Sequence, residues 1–327
     1  MDAPASFQTL YDLIESDLSQ TDHLIQTRLH ADVELINTIS SHIIAGGGKR
    51  IRPLLVLLTA HALGPCTAQH HLTAAIIELI HTATLLHDDV IDASSLRRGK
   101  PTANAVFGNT ASVLTGDYLY SRAFEMMVDL GDLKVLQILA QASNIIASGE
   151  LMQLENTRCA TLSVQSYLTT IERKTAKLFE AATEIPALLC PHLPHPVYTA
   201  CKALGAWIGT AFQIVDDILD YTSHASEMGK NQGDDLREGK MTLPLIYALQ
   251  QATPEGKALI THAIEQGDDT ELPAILEIIQ DTHALIRAKS MAEQYIAKAY
   301  GALDILPQNP YTRALHLTAQ LSMARLA

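Results

Sequence analysis

Two acidic pentads, Asp88-Asp89-Val90-Ile91-Asp92 and Asp216-Asp217-Ile218-Leu219-Asp220, each close an apolar run of helical character, one in each half of the chain. On a helix, positions i and i+4 stack on one face. Asp88 with Asp92, and Asp216 with Asp220, therefore each make a two-pronged carboxylate clamp one turn tall, while Asp89 and Asp217 lie about 100° round. Unpaired carboxylates cost several kcal/mol to desolvate, and two at ~4 Å repel by about 4 kcal/mol at an effective dielectric near 20. Folding alone would select against such clusters, and a hard divalent cation removes the penalty. Mg²⁺ keeps several waters and is commonly shared between one or two carboxylates and phosphate oxygens, which makes a diphosphate the first substrate to consider. The bland alternative is a solvated acidic helix face. Against it stand the apolar neighbours Thr84-Leu85-Leu86 and Ile214-Val215, where an exposed face would have polar company.

A chain of 327 residues is long enough for two domains, yet both pentads must serve one site, so a single domain over residues 1–327 is expected. Hydrophobic residues make up 47% of the chain and strand-like alternation is scarce. The expectation is an all-α protein, one large helical bundle around a deep apolar cavity, needing no β-sheet. A net charge of −13 argues against nucleic acid as a partner and requires local cations to receive an anionic substrate. Cys66, Cys159, Cys190 and Cys201 show no C-x-x-C spacing and no secretory leader precedes them, which predicts a reducing cytoplasm with unpaired thiols and does not imply zinc. No apolar run reaches the roughly 18 residues a membrane span needs, although a visit to a membrane surface stays open.

Along the chain, residues 7 to 44 read as two amphipathic helices. Gly46-Gly47-Gly48 then breaks the pattern, and the basic cluster Lys49, Arg50, Arg52 precedes a helix opening near Pro53. A turn at Gly64-Pro65-Cys66 leads into an apolar helix from about 69 to 92, followed by a basic loop over 94 to 104. Helical pattern resumes over 110 to 130, 133 to 156 and 163 to 189, and Pro191, Pro194 and Pro196 mark the next break. A helix from about 197 to 222 carries the second pentad. The polar loop from Gly229 to Asp235, with Lys240 beyond it, precedes further helices.

Both aspartate-rich motifs, the run Gly47-Gly48-Lys49-Arg50-Ile51-Arg52-Pro53, and Arg97-Arg98 after the first motif together resemble the trans-prenyl diphosphate synthase family, nearly end to end. Within that family the segments His81 to Asn104 and Gly229 to Pro244 are most similar to bacterial octaprenyl diphosphate synthases. The resemblance implies that an allylic diphosphate, farnesyl diphosphate for example, ionises. The double bond of isopentenyl diphosphate attacks the cation and a proton leaves, so that repetition builds a long-chain product such as octaprenyl diphosphate. Such a site must neutralise the departing diphosphate, align the second substrate and keep water from the cation.

By similarity, Asp88, Asp92, Asp216 and Asp220 hold about two or three Mg²⁺ ions, with Asp89 and Asp217 completing the metal shells. Arg97, Lys174, Thr175, Gln213 and Lys230 contact the allylic diphosphate. Gln213 also lies three positions before Asp216, on the same helix face. Lys49, Arg52, Arg98 and His81 resemble the isopentenyl diphosphate pocket, a cationic nest. Plainer readings exist for several of these: Thr175 and Gln213 as core-edge hydrogen bonders, Arg97-Arg98 as a solvated loop, His81 as one of 14 histidines satisfied in the core. No separate base is evident; His87 is adjacent rather than aligned, and the resemblance assigns the proton to the released diphosphate.

Short-chain members of the family place aromatic side chains one turn below the first pentad. Ala83 and Thr84 stand there in this chain, which predicts a tail passing deeper, along Ile80, Leu79 and Ile76. Eight isoprene units extend to roughly 40 Å, about 25 helical residues, so the floor must come from another helix. Phe124, Met126 and Met127 are the candidates, with core packing as the plain alternative. A homodimer, membrane-assisted product release and use of the product in a quinone side chain complete the expectations. Three rival readings remain: a terpene cyclase, which carries an Asn/Ser/Glu-type second motif, a non-catalytic partner subunit and a helical lipid carrier.

Overall fold

The computed structural model describes residues 6–45, 48–222 and 232–326. Gly46, Gly47, Gly229, Lys230 and Asn231 lie outside the described residues, so the expectations placed on them have no structural counterpart. The described chain is helical almost throughout: α1 Phe7–Leu13, α2 Glu15–Leu29, α3 Glu34–Ala45, α4 Ile51–Leu63, α5 Ala68–Ile91, α6 Ala103–Phe107, α7 Asn109–Leu130, α8 Leu133–Asn156, α9 Val164–Ile171, α10 Lys177–Leu189 and α11 His195–Thr222. Beyond the second pentad follow α12 Asp234–Arg237, α13 Leu243–Gln251, α14 Pro254–Gln266, α15 Leu272–Asp281, α16 Ala284–Leu303 and α17 Pro310–Met323.

Helices α5 and α11 carry the pentads, and each is built for burial. A reciprocal cap starts α5: the Thr67 backbone N–H donates to Nδ1 of His70 at 3.0 Å while the Thr67 side chain receives the backbone of His70. Ile76, Ile77, Leu79, Ile80, Ala83 and Leu86 of α5 are then wholly or almost wholly buried, chiefly against α7 and α4. Each such aliphatic side chain larger than alanine contributes roughly 1.5–3 kcal/mol relative to exposure. Helix α11 lies between α10 and α16. One hydrophobic cluster runs from Leu10 on α1 to Ala319 on α17.

Three departures from the sequence reading are local. Ile14, at φ −129°, divides the first N-terminal segment, giving three helices where two were expected. The basic loop folds into a two-residue antiparallel β pair, Leu96 opposite Pro101 and Arg97 opposite Lys100, so a scrap of sheet exists after all. The span 163 to 189 is one helical rod interrupted by a π turn at Glu172–Ala176. That turn is squeezed from both sides. A Cβ on Gly149 of α8 would meet the Lys174 backbone nitrogen at 2.7 Å, and one on Gly209 of α11 would meet Cα of Ala176 at 2.7 Å. Only glycine permits these approaches, which bring α8, the π turn and α11 together at the mouth of the bundle.

Candidate active site

The ends of α5 and α11 face one another across a cleft of ≈ 2100 Å³, counting its open mouth. Asp88 and Asp92 line it from α5, and Asp216, Asp217 and Asp220 from α11. Lys174 of the π turn extends its ammonium to Glu150 and Gln153 of α8, each at 2.6 Å, and stands 3.9 Å from Asp88. Lys240 reaches Asp92 at 3.0 Å and Glu238 at 2.6 Å. Burial alone would lower the Lys240 ammonium, but these two carboxylates lift it above the ordinary lysine value, so it stays charged. Burial pushes the Asp88 carboxyl up, Lys174 opposes the shift and Asp92 adds to it.

Asp89 does not join this wall. It points to the other flank of α5, where Arg97 grips it with Nε at 3.0 and 3.2 Å and Nη2 at 2.7 Å. Its expected place in a metal shell is therefore corrected: the 100° offset turns it away from the cleft, and both its oxygens are engaged by Arg97.

The second pentad is deeper. Asp217 is buried and accepts hydrogen bonds from Tyr167 Oη at 2.5 Å and Gln213 Nε2 at 2.8 Å, while Thr175 Oγ1 donates to Oε1 of Gln213 at 2.8 Å. Thr175 and Gln213 thus form a relay that orients Asp217. Asp220 accepts from the backbone N–H of Asp235 at 3.2 Å. Burial, reinforced by the Asp235 carboxylate, pushes Asp220 up to about 9 and raises Asp217 well above the carboxylate range. Arg325 completes the wall, its guanidinium on Asp216 and 4.9 Å over the Phe212 ring. Crowded, desolvated carboxylates that offer only oxygen are the donor set a hard divalent cation fits, and such an ion would reverse the upward shifts.

Beside the acidic walls lies a cationic nest. Gly48, Lys49, Arg50, Arg52, Arg97 and Arg98 border the same cleft. Arg50 and Arg98 sit at φ +45° and +53°, backbone strain that aims both side chains inward. Arg98 tucks so tightly against Gly48 that a Cβ there would meet its Nη1 at 2.7 Å. Burial pushes Arg52 down to about 10; its guanidinium lies 4.5 Å over Phe179 and its Nε is buried without a hydrogen-bond partner. Glu78 binds Arg50 at 3.0 Å, and the remaining excess of positive charge suits a phosphate. His81 differs from expectation. Burial and then Arg52 hold its imidazole well below the ordinary value, so it enters the nest as a neutral hydrogen bonder and not as a cation.

Below the first pentad, Ala83 is fully buried and Thr84 lines the cleft, its hydroxyl donating to the His81 carbonyl at 2.8 Å. Ile76 and Ile80 are packed in the core. Leu79 borders a second pocket, ≈ 970 Å³ counting its open mouth, on the Asp89 flank of α5. Met126 and Met127 are buried, but Phe124 is 43% exposed, so its candidacy as a floor is corrected: it faces outward from α7. Sequence reading also missed Tyr167, Glu150, Gln153 and Arg325, which no local motif announces. In the sequence Lys240 and Asp235 stand only as residues of a polar loop.

An almost wholly helical bundle holding two opposed aspartate-rich walls and a basic nest defines a prenyltransferase. The profile of the family described as polyprenyl synthetase matches residues 33–280, and the chain belongs to that family. The octaprenyl diphosphate synthase of Escherichia coli K12 is 44% identical over 321 residues, covering 98% of this chain and 99% of the relative. The all-trans-nonaprenyl-diphosphate synthase (geranyl-diphosphate specific) of Rhodobacter capsulatus is 42% identical, covering 96% of each. Among solved structures, polyprenyl synthase from Caulobacter crescentus CB15, complexed with calcium and isoprenyl diphosphate, superposes with a TM-score of 0.94 at 40% identity, covering all of both chains. Among the described residues, no helix is long and apolar enough to cross a membrane.

Proposed function

We propose that this chain is a Mg²⁺-dependent trans-polyprenyl diphosphate synthase. It adds isopentenyl diphosphate head to tail onto an allylic diphosphate, farnesyl diphosphate in the first instance, and makes octaprenyl diphosphate. The observation that carries the proposal is the pair of acid-lined helix ends facing each other across one cleft, with the arginine-rich nest beside them. The length of eight units is supported by the relatives that carry that name.

Asp88, Asp92, Asp216 and Asp220 are the residues that hold magnesium, which when bound neutralises charge developing on the departing diphosphate. Lys174, Lys240 and Arg325, which rest on carboxylates in the structure, turn to phosphate oxygens as substrate enters. Lys230 belongs to the same group by resemblance. Arg97 keeps its hold on Asp89 and presents the rest of its guanidinium to the allylic diphosphate. Lys49, Arg52 and Arg98 bind isopentenyl diphosphate, with neutral His81 fixing its orientation. The proton lost at each condensation passes to the released diphosphate.

The tail descends past Ala83 and Thr84, and closure of the helices around it keeps water from the cation. A single domain over residues 1–327 is supported by the continuous core. A homodimer is supported by the exposed Val113, Leu114, Phe124 and Val128 of α7 and Leu133, Leu151 and Leu154 of α8, an apolar surface that a second copy would cover. The cytoplasm, product release at a membrane surface and use in a quinone side chain complete the reading.

Purified protein with farnesyl diphosphate, isopentenyl diphosphate and Mg²⁺, followed by product sizing, tests it. An eight-unit product that vanishes with chelator is expected. Hydrocarbon formed from the allylic diphosphate alone would instead make the protein a cyclase, and no turnover would make it a partner subunit or carrier.

A further inference from the structure

At the end of α5 remote from the pentad, three helices and a loop bring unlike metal-binding side chains to one point. Asp17 of α2 accepts from Nε2 of His71 on α5 at 2.7 Å through one oxygen, and lies 2.9 Å from Nε2 of His61 on α4 through the other. Cys66, in the turn between α4 and α5, places Sγ 3.6 Å from that same His71 nitrogen. The donor atoms of Asp17, Cys66 and His71 all lie within 4.8 Å of one another. His71 lies near the start of α5, about 25 Å along the helix from Asp88, so this cluster is separate from the cleft.

We infer that Asp17, Cys66 and His71 form a three-ligand site for a zinc-class divalent ion, with His61 orienting the Asp17 carboxylate and water filling the fourth position. The mixed oxygen, nitrogen and sulfur donors select a borderline-soft ion and not the Mg²⁺ that an all-oxygen cleft prefers. The spacing agrees: zinc at ~2.3 Å from sulfur and ~2.05 Å from nitrogen puts two tetrahedral ligands ~3.6 Å apart, the separation of Cys66 from His71. His71 and Asp17 stand at hydrogen-bond distance and must part by roughly 0.6 Å to admit the ion. A side chain on α2 can supply that small shift.

The ligands have their supports already. His61 holds the second Asp17 oxygen and stacks on Tyr311 at 4.5 Å, the kind of outer contact that orients a ligating carboxylate. The Thr67–His70 cap fixes the turn that carries Cys66. Burial first, and Asp17 next, push the Cys66 thiol up to about 12. Binding sends the thiol proton to solvent, and thiolate plus carboxylate then cancel the charge of the ion. The ion would tie α2 to α4 and α5, stiffening the base of the helix whose other end holds the first pentad.

The test uses full-length protein stripped with chelator under reductant, then titrated with Co²⁺ while Mg²⁺ saturates the cleft. One equivalent should produce a sulfur-to-cobalt charge-transfer band and the intense visible bands of tetrahedral cobalt, and Zn²⁺ should abolish both. Cys66→Ser should lose the charge-transfer band, Asp17→Asn should weaken cobalt binding at least tenfold, and Asp88→Asn should leave the spectrum unchanged. Zn²⁺ should raise the melting temperature of the parent protein but not of Cys66→Ser. A parent protein without the charge-transfer band, or a band that survives Cys66→Ser, overturns the site.

Discussion

The two pentads share a sequence pattern and differ in almost everything else. The first sits at the C-terminal end of α5, where Asp92 caps the helix and lysines from two other segments face Asp88 and Asp92. The second lies within α11, with Asp217 and Asp220 buried and crowded by Asp235, and a single arginine on Asp216. The first wall has a lysine beside each of its two cleft-facing aspartates, whereas in the second only Asp216 has a cation and the buried Asp217 and Asp220 are crowded by Asp235. Beneath them the contrast continues: the small Ala83 and Thr84 stand one turn below the first pentad on α5, while Phe212 occupies the corresponding turn of α11 and packs on Phe179 at 5.5 Å. The same motif is therefore underlain by small side chains on one side and by an aromatic pair on the other.

The largest effect that probes this contrast is removal of a wall. Asp88→Ala and Asp216→Ala should each lower kcat by about a thousandfold, because both strip charge stabilisation from the departing diphosphate. Either variant retaining near-parental turnover of farnesyl and isopentenyl diphosphates breaks the two-wall account. Asp89→Asn should cost less, about tenfold to a hundredfold, through a loosened Arg97, while the Mg²⁺ concentration for half-maximal rate stays unchanged. A large shift in that concentration would put Asp89 back among the metal ligands.

Ala83→Phe should redirect the products more than the rate. Mass spectrometry of the prenyl chains should show a shorter ladder at unaltered metal dependence, and an unchanged ladder would show that the depth lies elsewhere. The smallest effect concerns the buried carboxylates. Asp220 and Asp217 have folded-state values above the unfolded carboxylate value, so the unfolded chain loses their protons first. Their contribution to stability is whole below about pH 4 and is lost as pH rises towards about 9. Metal-free protein should therefore melt a few degrees lower at pH 8 than at pH 6, and Asp220→Asn or added Mg²⁺ should flatten that slope; scanning fluorimetry with and without chelator reads both.

Much of this was legible in the chain itself. The i and i+4 spacing of the aspartates and the apolar runs before them located α5 and α11 to within a residue or two, since burial of one helix face leaves a periodic trace. What escaped depends on long-range packing. Nothing near Tyr167 or Arg325 announces that they meet Asp217 and Asp216, and an extra residue in a π turn leaves no periodic mark. His81 is neutral because tertiary packing buries it, with arginines from other segments adding to the shift. Phe124 misled because α7 is apolar on two faces, one packed on α5 and the other exposed, and spacing does not say which is which. Cysteine spacing likewise gave no hint of Asp17, Cys66 and His71, whose convergence is a property of how α2, α5 and the turn before α5 pack and not of any motif.

The π turn at Glu172–Ala176 works as a rotational offset in an otherwise regular rod. Each residue of a helix advances it by about 100°, so excising one residue there would heal the hydrogen-bond ladder and swing everything upstream by that angle relative to α10. Lys174 and Thr175 would lose their bearing while the rod itself became more regular. A rod built for stiffness alone would have no use for that irregularity; here it sets the direction in which a reactive surface points.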